Sequence, residues 1–149
     1  MSKVTTEIES RVNELYAKTK VTQKFKNPTE TPLELKIYVS KNEKIIFSSF
    51  NCKIGDSINV KSKVIKKGKA ETKYNDSIAS GNAAIFVSED PEDKNRLIIN
   101  MGNIPSKEEV IFISNFFIIL KFLKDMNMNL NFLKIYLFFQ VKMIKFFRI

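Results

Sequence analysis

The feature that most constrains this chain is a period of two. In "SKVTTEIESRV" and "YAKTKVTQKFKN" branched or apolar residues alternate with polar ones, residue by residue. Successive side chains of an extended strand point to opposite faces, so this alternation describes strands with one face buried and one wet. "LELKIYV", "KIIFSSF", "SINVKSKVI", "AAIFV", "NRLIINM" and "EEVIFIS" continue the series. Turn signals at "NPTETP", "IGD", "EDPEDKN" and "GNIPS" separate them. Eight short strands at such spacing favour an antiparallel sandwich or barrel, and the fold class expected is a mainly β, antiparallel β-sandwich with one short helix inserted.

One segment breaks the period. In "KGKAETKYNDSIASGNAAIFV", residues Ala70, Tyr74 and Ile78 recur at every fourth position. That spacing puts them on one face of a helix, which we place over residues 69–80. Gly81 follows where a left-handed C-terminal cap is wanted, because glycine takes positive φ without a Cβ penalty. The helix is thus about three turns, docked on the sheet by a narrow apolar face.

The chain changes character near Asn115. All four glycines and all four prolines precede it, and beyond it 31 of 35 residues are Phe, Ile, Leu, Lys, Asn, Met or Tyr. Those types are specified mainly by A/T-rich codons, which suggests a shifted frame or intron read-through. The division expected is therefore a folded domain over residues 1–114 and a low-complexity tail over 115–149. Lysines at 121, 124, 134, 142 and 145 leave no run near the roughly 20 apolar residues that a spanning helix needs. A helical tail lying on a membrane surface is the competing reading, although its polar positions form no clean stripe.

Charge and composition remove several function classes. The net charge is +9, but the tail holds six Lys/Arg against one acid, so residues 1–114 carry only +4. That is weak support for a nucleic-acid surface. With no histidine and a single cysteine, Cys52, zinc sites, histidine bases and Ser-His or Cys-His pairs are excluded. A lone cysteine forms no internal disulfide, and "MSKVTTEIESRVNELY" lacks the apolar stretch of a secretory signal. A cytoplasmic protein is the expectation.

Taken in order, "VTQKFKN" with Asn27, "PLELKIYV", "FSSFNCKIGD" with Gly55, "KGKAETKYNDSIASGNAAIFV" and "INMGNIPSKEEVIF" resemble the VIT domain, the vault-protein and inter-alpha-trypsin module. The resemblance covers roughly residues 4–114. Ala70, Tyr74 and Gly81 match the family's helix, and Gly102, Asn103 and Pro105 match its "GNIPP"-like turn. Ser40 stands near a place where the family tends to have proline. The resemblance also implies a following von Willebrand factor A domain, whose metal site uses a DxSxS motif. "DSINV" at Asp56 and "DSIAS" at Asp76 lack that spacing, so the chain resembles the front end of a longer protein.

Other groups have bland readings. The run of Lys61, Lys63, Lys66, Lys67, Lys69 and Lys73 has only Tyr74 near it for base stacking, and lysines at a solvated strand edge explain it as well. Glu89, Asp90, Glu92 and Asp93 surround Pro91 without the glycine of a calcium loop, which favours a charged hairpin tip. Lys69 with Glu71, or Ser77 with Lys73, are pairs on paper only, with no phosphate loop or nucleophile elbow beside them. Cys52 reads as a small, partly buried side chain. The expectation is a non-enzymatic interaction or scaffolding module without metal or cofactor. Its partners would be a protein, such as an adjacent A domain, and by the competing reading a membrane surface; nucleic acid is disfavoured.

Overall fold

A computed structural model describes residues 4–13, 15–41, 43–61, 67–120 and 146–148. In chain order the elements are β1 (Thr5–Val12), β2 (Tyr16–Lys26), β3 (Leu33–Ser40), β4 (Ile45–Ile54), β5 (Ile58–Lys61), α1 (Lys67–Ala79), β6 (Ala84–Glu89), β7 (Arg96–Ile104), β8 (Glu109–Ile119) and β9 (Phe146–Arg148). The strands form two antiparallel sheets, one ordered β1-β2-β8-β4-β5 and the other β6-β7-β3-β9. Among the described residues this is the mainly β fold of two antiparallel sheets that the period of two implies, with the one short helix that the fourfold spacing of Ala70, Tyr74 and Ile78 implies.

Alternation becomes packing on β2 and β8. Ala17, Val21 and Phe25 of β2 are buried, as are Val110, Phe112, Phe116 and Ile118 of β8. Against them lie Leu35, Ile37 and Val39 of β3 and Ile99, Met101 and Ile104 of β7. Burying each large apolar side chain contributes about 1.5–3 kcal/mol, so this shared layer dominates the stability. Phe50 stacks on Phe112 at 5.7 Å, and Phe47 meets Phe116 edge-on at 5.5 Å.

Phe47 and Phe50 are three residues apart, which a regular strand would send to opposite faces. The register of β4 against β8 shifts between Phe47 and Ser49. The bulge inserts one residue and so turns both rings inward. A second irregularity lies where β3 meets β7, as Leu33 pairs with Ile104 but Leu35 with Met101. Met101 and Ile104 are both buried as a result, and the Gly102-Asn103 step between them is the extra length.

The compositional break at Asn115 falls inside a strand. Residues 115–119 continue β8 past the boundary expected at Ser114, with Phe116 and Ile118 in the core and Leu120 buried just beyond. Residues 146–148 form β9, which pairs with Leu35 to Ile37 of β3. The helical reading of the tail concerns mostly residues 121–145, outside those described.

Candidate functional site

Asn27 is fully buried at the end of β2. Its Nδ2 lies 3.0 Å from the carbonyl oxygens of Thr31, Ile104 and Pro105, while its Oδ1 accepts from the Thr29 N–H at 3.0 Å and the Thr29 hydroxyl at 2.7 Å. The Asn27 N–H also donates to the Glu108 carbonyl at 2.9 Å. One side chain thus joins the loop after β2 to the loop before β8. Ser106 donates to the Thr29 carbonyl at 2.8 Å and Lys107 to that of Pro28 at 3.1 Å, closing the same junction. Pro105 contributes a carbonyl, and its ring fixes φ at the start of the turn.

Helix α1 ends as the sequence implies. The N–H of Asn82 reaches the Ser77 carbonyl at 2.9 Å and that of Gly81 reaches the Ile78 carbonyl at 3.0 Å, with Gly81 at a φ of 76°. This pair of bonds is the Schellman arrangement, and it needs a left-handed residue at Gly81. Asn103, itself at a φ of 53°, donates from β7 to the same Ile78 carbonyl at 2.9 Å. The sheet therefore caps the helix as well as supporting it.

The helix rests on Gly102. A Cβ there would lie 2.9 Å from the Tyr74 hydroxyl and 3.2 Å from Ile78 Cγ1, and would collide with Ile78 Cδ1. Absence of that atom lets the helix approach the outer face of the smaller sheet. Tyr74 packs on Phe86 at a ring distance of 5.9 Å, and burial, with a smaller push from Glu34, raises its phenol above the ordinary value. Ala70, Tyr74 and Ile78 are half-buried, so the helix docks on the sandwich and does not enter its core. Gly55, at a φ of 55° in the turn between β4 and β5, donates its N–H to the Glu109 carbonyl at 2.9 Å.

The remaining sequence candidates separate in space. Lys61 lies at the end of β5, whereas Lys69 and Lys73 are exposed on α1; Lys63 and Lys66 fall outside the described residues. The acidic tip between β6 and β7 is built by its own carboxylates. Asp90 accepts from the Glu92 N–H at 2.9 Å and from Arg96 Nε at 2.5 Å, and Asp93 accepts from the Asn95 N–H at 2.9 Å. The Glu92 N–H foremost, then the Arg96 guanidinium, hold the Asp90 carboxyl below its ordinary value. Arg96 in turn sits 4.7 Å over the Tyr38 ring. Among the described residues no group of three His, Cys, Asp or Glu side chains is placed to hold a metal ion.

Cys52 is fully buried, not partly, and desolvation pushes its thiol up to about 12. It is therefore protonated at neutral pH and a poor nucleophile. No helix among the described residues is long and apolar enough to cross a membrane.

What the sequence reading missed is the outer face of the larger sheet. Lys18, Lys20, Lys24 and Lys26 of β2 share that face because they sit at even positions, opposite in direction to buried Ala17, Val21 and Phe25. The signal was present in "YAKTKVTQKFK", but its partners on neighbouring strands come from distant parts of the chain.

Comparison with known proteins follows the same residues. The sequence model of the vault protein inter-alpha-trypsin domain matches residues 4–114. A von Willebrand factor A domain-containing protein of Dictyostelium discoideum is 31% identical over 103 residues, covering 69% of this chain and 11% of the relative. A second from the same organism is 30% identical over 106 residues, covering 71% and 12%, and another is 37% identical over 89 residues, covering 60% and 9%. The chain thus spans about a tenth of the length of these relatives.

Proposed function

The chain belongs to the vault protein inter-alpha-trypsin domain family, and from that premise we propose that it is a non-catalytic protein-interaction or scaffolding module. One observation carries the proposal. The residues that mark the family here are consumed inside the fold: Asn27 and Pro105 join two loops, and Gly81, Gly102 and Asn103 seat and cap one helix. Their hydrogen bonds and contacts are spent on the fold itself, which supports a contribution through the shape and surface of the module. Relatives named for their von Willebrand factor A domains make such a domain the partner of first choice. A cytoplasmic setting suits a single buried thiol with no second cysteine in the chain.

The test is direct association. The full chain is immobilised, and a Dictyostelium relative lacking its matching segment is passed over it. Saturable binding with a Kd below roughly 100 μM is the expected outcome. No saturation at that concentration would overturn the proposal, as would a hydrolytic or transfer activity that co-purifies with the chain.

A further inference from the structure

The outer face of the five-stranded sheet carries an apolar row on β8 beside the lysine row of β2. On β8 the side chains of Ile111, Ile113, Phe117 and Ile119 alternate with the buried core residues and so point outward. The register places Ile111 between Lys24 of β2 and Lys53 of β4, and Phe117 between Lys18 and Ile46. Lys18 Nζ stands 5.9 Å from the centre of the Phe117 ring, and Tyr16 meets that ring edge-on at 5.9 Å. At this end Ile46 is 51% and Tyr16 42% exposed. Large apolar side chains grouped on an open sheet face mark an interaction surface.

Charge selects the partner. Lys18, Lys24, Lys26 and Lys53 are exposed around the row. Four acids lie near: Glu7 of β1 is exposed opposite Thr22, Glu9 binds Lys20 at 3.2 Å, Asp56 binds Lys53 at 3.3 Å, and Glu109 stands opposite Lys26 in the register. The face therefore presents positive charge along its β2 side, densest at Lys24 and Lys26, and at the far end of β8 an aromatic-aliphatic corner flanked by Lys18. Phe117 and Ile111 are six residues apart, about 20 Å along a strand.

We propose that this face binds an acidic segment of a partner protein, laid along β8 with apolar side chains on Phe117, Ile46 and Ile119 and carboxylates near Lys24 and Lys26. The proposal rests on the interaction-module reading and names its surface and the chemistry of its partner. A lipid bilayer fits less well, because Ile111 and Ile113 are half-buried and their register neighbours are the polar or charged Lys24, Lys53, Thr22 and Asn51, so the apolar row is narrow and interrupted. An extended chain can lie along β8, where displacing water strengthens its contacts with the flanking lysines.

The experiment uses the full chain and a fluorescein-labelled peptide with leucines at one end, glutamates at the other and a serine spacer between. Fluorescence anisotropy should show saturable binding that weakens as salt is raised. The same peptide with lysines for glutamates should not bind. Lys24→Glu with Lys26→Glu should weaken binding roughly tenfold, since each reversed pair replaces attraction with repulsion. Ile46→Ser, at an exposed position, should weaken it several-fold, and circular dichroism melting should show both variants folded.

Equal binding of the lysine peptide, or undiminished affinity in the folded variants, would overturn the assignment. So would capture of the chain by phosphatidylserine vesicles under conditions where the glutamate peptide fails to bind. The variants are also offered the relative's remaining chain. If that association survives undiminished, the surface is wrong and the module reading stands; if wild type binds no protein segment at all, the module reading itself falls.

Discussion

Replacing Asn27 by alanine tests how the two loops at one end of the sandwich are held. The side chain makes contacts at 2.7–3.0 Å with five backbone or hydroxyl partners, while its residue is fully buried. A net hydrogen bond contributes about 1 kcal/mol, and a buried partner left unsatisfied costs about 1–3 kcal/mol. Water entering from the Thr31 side will rescue part of the loss, so Asn27→Ala should destabilise the chain by about 3–5 kcal/mol. Urea unfolding followed by far-UV circular dichroism measures this as a lower midpoint at unchanged slope. Asn27→Asp sharpens the test. An ionised carboxylate cannot donate to the Ile104 and Pro105 carbonyls, so this variant should be at least as unstable at pH 7. The carbonyls favour the protonated acid and raise its folded pKa, so the penalty should shrink as pH falls through that raised value toward the usual carboxylate range of about 4. If Asn27→Ala stays within about 1 kcal/mol of wild type, the latch is not what holds these loops.

Three further outcomes follow from single features. Gly102→Val should cost about 1–3 kcal/mol by driving a side chain into Ile78 and Tyr74, and a Tyr74→Ala, Ile78→Ala background should recover part of that loss in a double-mutant cycle of urea midpoints. The Asp90 carboxyl is held below its ordinary value in the fold, so its contribution is present above the unfolded pKa of about 4 and disappears as pH falls through the lower folded value. Asp90→Asn should therefore flatten the loss of stability between neutral and strongly acid pH, and parallel acid-unfolding curves would refute the assignment. The Cys52 thiol, pushed up to about 12, should resist a disulfide reagent at pH 8 in the native chain and react at once in denaturant; fast native labelling would show that the core opens there.

The helix shows how much was legible locally. Fourfold spacing of Ala70, Tyr74 and Ile78 and the position of Gly81 sufficed to place it, because helix faces and caps are set within a few residues. The structure moves its limits only to Lys67–Ala79. The role of Gly102 was not legible in the same way. "GN" reads as a turn, yet Gly102 and Asn103 occupy an irregular stretch of β7 beneath and beside a helix that lies more than 20 residues earlier. Likewise "FSSF" reads as ordinary strand, and only pairing with β8 reveals the bulge that turns Phe47 and Phe50 the same way.

The candidate surface divides along the same line. Sequence by itself determined that β2 carries lysines on one side and core residues on the other, because alternation is a property of a single extended chain. It also determined the absence of histidine and hence the chemistry that is excluded. Only the tertiary structure decided that β8 inserts between β2 and β4, bringing Lys24, Ile111 and Lys53 into one row and carrying the sheet past Ser114 to Ile119. The physical reason is that strand order and register are fixed by burial across the whole sandwich, through contacts between residues scores of positions apart, which no local period encodes.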